Sequence, residues 1–203
     1  MRLDRLTEMQ IDALREIGNI GAGHAAMALS QLMGHGVELT VPELDFVPFC
    51  GVPTAFGGSE QLVGAVHCHL VGAVGGGMMF VSSRDSVLNL VDLLHNRPAG
   101  ITKSFGAEEE ALLTHVGGIL VGAYVAALAR LADIDVIPST PSFALDMAGA
   151  ILEAAAAEVG GNVETTLLVR SRFTGEDSHV EASVFFLPDP DSLEVILGKL
   201  GLV

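Results

Sequence analysis

Displaced by 99 residues, the sequence falls on itself without a gap. Leu14 meets Leu113, Gly18 meets Gly117, Ile20 meets Ile119, Gly23 meets Gly122, Ala28 meets Ala127, Leu32 meets Leu131, Val37 meets Val136 and Pro42 meets Pro141. Self-similarity at a fixed period marks a duplicated structural unit. It predicts one domain over 1–203 built from two pseudo-repeats, about 1–100 and 101–203. Any element assigned in one half needs a counterpart in the other.

Each half opens with a long helix. The first is expected over about Thr7 to Met33, with Thr7 and Gln10 at capping-box spacing. At 100° per residue Leu14, Ile17, Gly21, Ala25, Ala28 and Leu32 share its buried face. Leu113, Val116, Leu120, Tyr124, Ala127 and Leu131 share the matching face of the second. Extended chain is expected over Val37 to Phe49, irregular at Pro42 and Pro48. Leu62 to Val71 and Gly77 to Ser82 read as a strand pair, and Val163 to Phe173 with His179 to Leu187 as a hairpin about residues 174–177. Arg84 to Asn96, Leu145 to Val159 and Asp191 to Leu200 read as shorter helices. Helices with hairpin-connected strands predict an α+β fold, an antiparallel sheet packed with helices.

Charge narrows the partners. Lys plus Arg number 10 against 25 Asp plus Glu, for a net charge of -15. Such a surface repels phosphate backbones and anionic lipid, so neither nucleic acid nor membrane is an expected partner. The acids are spread along the chain, as on a solvated surface or one adapted to high salt. Ala111 to Ala129 carries no charged residue and is long enough to span a bilayer. Its counterpart bears Asp12, Arg15 and Glu16, which argues for a core helix instead. Cys50 and Cys68 form no metal motif, and the first residues lack a signal-peptide plan. A reduced, cytoplasmic chain is expected.

Asp12, Glu16 and Asn19 are spaced i, i+4, i+7, opposite the buried face of the first helix, and Gly23, Ala26 and Ser30 continue that stripe. Local energetics do not favour it. Asn inside a helix costs roughly 0.5 kcal/mol, and Gly18 and Gly21 about 1 kcal/mol each, relative to Ala. Asp12 and Glu16 are like charges one turn apart. Spacing alone also fits a solvated face with acids near a helix N-terminus.

The string from Asp12 to Ser30, with Pro42 beyond it, resembles the CheC/CheX/FliY family of CheY-phosphate phosphatases. That family's motif is Asp or Ser, three residues, Glu, two residues, Asn, and a proline about 22 residues on. Asp12, Glu16, Asn19 and Pro42 match. The duplication, Pro138 to Pro141 and Leu145 to Leu152 resemble the family as well.

The resemblance implies hydrolysis of the aspartyl phosphate of a CheY-type receiver. Asn19 would orient the attacking water and Glu16 would pair with the receiver's active-site lysine. Asp12 would assist docking or support the helix. Mg²⁺ would belong to the receiver, with no cofactor held by this chain. In the second copy Ala111, His115 and Gly118 stand at the motif positions and only Pro141 remains, so one site is expected. The resemblance also implies a CheD-type receptor deamidase as a second partner, met at Asp146, Met147 and Ile151. A non-enzymatic adaptor for a receiver or CheD, or a flagellar-switch component, is the alternative.

Two constellations lie outside this reading. His67 and His69 point to one face of a strand, but no third ligand follows at motif spacing, so no metal site is expected. Gly18-x-x-Gly21-x-Gly23 lies inside a helix and follows no strand, so helix packing or close partner approach explains it better than phosphate binding. His24 is assigned to packing.

Overall fold

A computed structural model describes residues 6–33, 38–39, 43–159, 165–174, 179–189 and 191–202. Its elements run α1 (Glu8–Met33), β1 (Glu38–Leu39), β2 (Glu43–Pro48), a 3-10 helix (Phe49–Phe56), β3 (Leu62–Gly72), β4 (Gly76–Ser83) and α2 (Arg84–Leu94). They continue with α3 (Ala107–Ala132), β5 (Val136–Pro138), β6 (Ser142–Met147), α4 (Ala148–Glu158), β7 (Thr165–Thr174), β8 (His179–Pro188) and α5 (Ser192–Lys199). From α3 onward the order retraces that from α1, with α4 in the place of the 3-10 helix.

Both long helices begin as their sequences require. The Thr7 amide donates to Gln10 Oε1 at 2.8 Å and the Gln10 amide to Thr7 Oγ1 at 3.4 Å, the reciprocal capping box. Gln10 is itself buried, and its side-chain Nε2 donates to the Leu202 carbonyl at 2.8 Å. At the start of α3 the Glu109 carboxylate accepts from the Gly106 amide at 2.8 Å. Thr114, a polar residue in an apolar helix, donates its hydroxyl to the Glu110 carbonyl one turn back.

The strands form one antiparallel sheet in the order β1-β7-β8-β4-β3-β5, with β2 also pairing β7 and β6 also pairing β3. Strand exchange links the halves: β2 lies on β7, β6 lies on β3, and β4 and β8 meet at the centre. Neither half closes the sheet alone. Strand alternation divides the core. Val66, Cys68, Met78, Phe80, Val169, Val184 and Phe186 face α1, α2, α3 and α5. Val63, Ala65, Met79, Val81, Leu168 and Phe185 face α4 and the 3-10 helix.

The buried seams of α1 and α3 keep the same register. Leu14, Ile17, Gly21, Ala25, Leu29 and Met33 are buried in α1, and Leu113, Val116, Leu120, Tyr124, Leu128 and Ala132, each 99 residues later, in α3. After the first step the seam follows i+4 ridges, the rows that interdigitate when helices cross. The expected continuation to Leu32 and Leu131 is therefore wrong. Both lie on the solvent side, 42% and 36% exposed. A Cβ on Gly21 would stand 2.5 Å from the Tyr124 ring, so α1 and α3 meet where α1 has no side chain. α3 has the length and hydropathy to cross a membrane, yet half of its most apolar window is buried, against α1 and the sheet.

Two further expectations need correction. Leu145 to Met147 do not begin a helix; they end β6, with Leu145 opposite Gly64 and Met147 opposite Leu62. The alanine run that follows has helical propensity, but backbone pairing to β3 decides the conformation of these three. Phe49 leaves the extended chain for the 3-10 helix. Pro42, residues 163–164 and residues 175–177 of the expected turn lie outside the described residues.

A buried carboxylate ties α2 to the segment that leads into α3. Asp92 accepts from the Ile101 amide at 2.8 Å, the Thr102 amide at 3.0 Å and the Thr102 hydroxyl at 2.6 Å. Burial alone pushes its carboxyl up, but the hydrogen bonds from Thr102, Ile101 and Gly100 outweigh it and hold the group below its ordinary value. A depressed folded pKa contributes stability above the unfolded pKa, about 3.9, and loses it as pH falls through the folded value. In urea unfolding, Asp92→Asn is expected to cost about 2 kcal/mol at pH 7, and the gap from wild type should narrow below about pH 4. A gap that stays constant to pH 2 would contradict this.

The glycines of α1 give a paired stability test. A Cβ on Gly23 meets nothing within 4 Å. Gly21→Ala should destabilise by about 2–3 kcal/mol through overpacking against Tyr124. Gly23→Ala should stabilise by up to about 1 kcal/mol through helix propensity alone. Thermal unfolding of both variants measures the difference.

Candidate functional site

With the α1 seam held against α3 and the sheet, the opposite side of α1 faces solvent. Asp12, Glu16, Asn19 and Gly23 are all exposed along it, and Ala26 and Ser30 are half-buried beside them. Asp12 Oδ1 lies 3.2 Å from Arg15 Nη1, an exposed ion pair on the same helix. No hydrogen bond or ion pair among the described residues engages the side chains of Glu16 or Asn19. An anchored carboxylate, a free carboxylate and a free amide are thus presented on a rigid helix, in that order.

Met27 belongs to this surface although sequence reasoning passed it over. It follows Gly23 by one turn and is 59% exposed. A flexible apolar side chain beyond an open glycine suits a docking face. The signal was present in the spacing, since Asp12, Glu16, Asn19, Gly23 and Met27 advance by steps of three or four. The glycine run therefore divides by role: Gly21 packs inside, whereas Gly23 leaves open space outside. His24 is half-buried between the two faces.

The matching face of α3 differs in chemistry and shape. Ala111 and His115 are exposed, and Gly118 is half-buried. A Cβ on Gly118 would stand 2.8 Å from Pro141 Cγ and 3.2 Å from Cβ, so the proline ring covers the position that corresponds to Asn19. Neither His115 nor Gly118 offers an amide there. Pro42, which corresponds to Pro141, lies outside the described residues.

The remaining candidates, Met147 apart, occupy the opposite face of the sheet. Asp146 is exposed on β6 and accepts from the Met147 amide at 2.7 Å. Met147 is exposed, but Ile151 is buried in the core beneath α4. Ile151 is therefore corrected from surface residue to core residue: the fourth residue of an amphipathic helix faces inward here. His67 and His69 also face the α4 side. Burial, reinforced by His69 and opposed by Glu158, holds His67 below its ordinary value.

Comparison with known proteins gives this geometry a context. The CheC-like family model matches residues 9–44, the stretch that carries the stripe. CheC of Bacillus subtilis strain 168, named a CheY-P phosphatase, is 32% identical over 200 residues, 97% of this chain and 96% of its own. The chain belongs to the CheC-like family. Thermotoga maritima FliY superposes with a TM-score of 0.78 at 19% identity, over 97% of this chain and 98% of its own. Helicobacter pylori FliM, solved in complex with SpeE, gives 0.71 at 15% identity, over 97% of each chain. These two likenesses establish a shared fold at low sequence identity, and nothing about chemistry.

The covered position on α3 is testable by itself. Gly118→Asn should lower stability by roughly 1–3 kcal/mol because Pro141 must move. Chemical denaturation measures it. A neutral effect would mean that the ring yields and that the second face differs only in its side chains.

Proposed function

We propose that this chain dephosphorylates a CheY-type receiver through the stripe on α1. The observation that carries the reading is the pair of unengaged polar groups, Glu16 and Asn19, on an exposed ridge within the family-matched segment. Full-length similarity to a protein named for this activity supports it.

The reaction asks little covalent chemistry of the chain. Water attacks the phosphorus of the aspartyl phosphate in line with the scissile P–O bond. That bond breaks, the receiver's carboxylate leaves with the electron pair, and inorganic phosphate is released. Asn19 enters the receiver's site and holds the water, since an amide both accepts and donates hydrogen bonds and does not titrate near neutrality. Glu16 pairs with the receiver's lysine and sets the register. Asp12, tied to Arg15, borders the contact and assists docking, and Pro42 supports the motif from beyond the helix. The metal of the reaction is Mg²⁺ in the receiver, where it neutralises phosphoryl charge. Catalysis here is positioning.

The scope of the reading follows from the same observations. The chain works in the cytoplasm as one CheC-like domain of two pseudo-repeats; the matching element order and the strand exchange support that organisation. The α3 face, with Ala111, His115, Gly118 and a closed Pro141, is inactive. A CheD-type deamidase would meet Asp146 and Met147, with Ile151 acting only through packing.

The test is phosphate release from a phosphorylated CheY-type receiver with Mg²⁺. Wild type should accelerate release, and Asn19→Ala should lower the rate by roughly 10²–10³. Glu16→Lys should abolish productive docking. Gly23→Leu should fold normally and raise KM more than it lowers kcat, because only the partner's approach is obstructed. Receiver binding without acceleration in wild type would make the adaptor or switch-component reading the better one.

A further inference from the structure

His67 and His69 stand two residues apart on β3, so the pleat turns both rings toward the α4 face. α4 crosses that face and ends at Glu158. Its Oε2 atom lies 3.3 Å from His67 Nδ1 and 3.6 Å from His69 Nε2. The three candidate ligand atoms all fall within 4.8 Å of one another. The two rings meet nearly edge-on, with centroids 4.7 Å apart. Residues 67 and 158 are far apart in sequence, which is why no motif spacing could reveal the third group.

These separations have a chemical meaning. Around an ion bonded to nitrogen and oxygen at 2.0–2.2 Å, tetrahedral ligand atoms stand about 3.3–3.6 Å apart. Octahedral neighbours at the same bond lengths stand about 2.8–3.1 Å apart. Both observed N···O distances match the tetrahedral edge, and the N···N pair, within 4.8 Å, closes to that edge by a movement of the exposed His69 side chain. Two imidazoles with one carboxylate form a borderline-soft donor set, suited to zinc and poorly suited to the hard cations Mg²⁺ and Ca²⁺. We propose that His67 Nδ1, His69 Nε2 and Glu158 Oε2 bind one zinc-class divalent cation.

The surroundings fit such a site. A Cβ on Gly77 of β4 would stand 2.7 Å from His67 Nε2, so the glycine makes room for the ring while Nδ1 faces α4. His67 is only 15% exposed at its side chain, whereas His69 at 52% and Glu158 at 43% remain accessible to an entering ion. A groove of about 220 Å³ runs beside the triad, lined also by Ser142, Ala144 and Asp146. The fourth coordination position opens to water or to a partner's donor group. The ion would fasten the C-terminal end of α4 to the sheet. It lies across the sheet from α1, so the site is independent of the phosphatase stripe.

The whole chain, stripped with a chelator and dialysed, is titrated with Zn²⁺ against a chromophoric competitor. One ion per chain with a micromolar or tighter Kd is expected, together with a higher Tm. His69→Ala and Glu158→Gln alter exposed side chains and should fold. Each should weaken Zn²⁺ binding at least about 10-fold and remove the Tm increase. His115→Ala should bind as wild type, and Mg²⁺ should not compete. Co²⁺ in place of Zn²⁺ should give the intense visible bands of a tetrahedral site. No 1:1 binding in wild type, binding unchanged in His69→Ala and Glu158→Gln, or the weak spectrum of octahedral Co²⁺ would each overturn the proposal. Receiver dephosphorylation by His69→Ala should match wild type, which keeps this result separate from that of the phosphatase assay.

Discussion

The architecture depends on how closely α1 and α3 approach at Gly21 and Tyr124. With no Cβ on Gly21, the aromatic ring of α3 lies against the α1 backbone. That contact sets the rotation of both helices about their axes. Once Leu14, Ile17, Ala25 and Leu29 are fixed inside, Glu16 and Asn19 have one direction left, outward. Gly117 extends the same logic to the sheet, where a Cβ would overlap the Val66 side chain. The glycines that lower the intrinsic propensity of these helices also permit the packing that holds them, so tertiary contact outweighs local preference.

A seam repeated at the same register does not yield two equal faces. The seam residues of α1 and α3 correspond position for position, because the crossing demands it of both, while Gln10 is buried in α1 alone and Val125 and Ala127 in α3 alone. The outward residues carry no such demand. On α1 they form a polar ridge that ends in open space at Gly23 and a projecting Met27. On α3 the ridge is Ala111, His115 and Gly118, and Pro141 closes over the last. Burial constrains the scaffold in both halves, whereas the outward pair of Glu16 and Asn19 stands on one helix alone. Strand exchange explains why the second half is still required: β7 supplies the partner for β2, and β8 supplies the central neighbour of β4.

Much of this was legible in the sequence because the signals were periodic. The long helices, the β3–β4 and β7–β8 hairpins and the outward placement of Asp12, Glu16 and Asn19 all follow from spacing of two or of three and four. The errors arose where tertiary pairing overrides a local pattern. Leu145 to Met147 adjoin an alanine-rich helix, and only the ladder to β3 makes them strand. Leu32 and Leu131 fit a straight helical stripe, but crossing helices bury an inclined ridge and leave them outside. The resemblance implied Ile151 as an interface residue, but α4 laid on the sheet buries it. Glu158 had no signal at all beside His67, since its meeting with β3 is a product of the fold.

Electrostatics explains why the docking face is built as it is. A chain with net charge -15 repels the phosphoryl group of the proposed partner at long range. That repulsion is screened over about 8 Å at physiological ionic strength. Recognition must therefore come from contacts made after the surfaces have met. Under the proposed function, a free carboxylate at Glu16 offered to a lysine, a bare backbone at Gly23 and an apolar Met27 would be short-range devices of this kind. None needs a favourable field at a distance. The same acidity has the opposite sign for a cation, and it attracts positive ions to the whole surface, the α4 side with His67, His69 and Glu158 included. One surface charge thus sets two different terms for its ligands. An anionic partner must be recognised by shape and local pairing, whereas a metal ion is attracted first and selected afterwards by donor type and geometry.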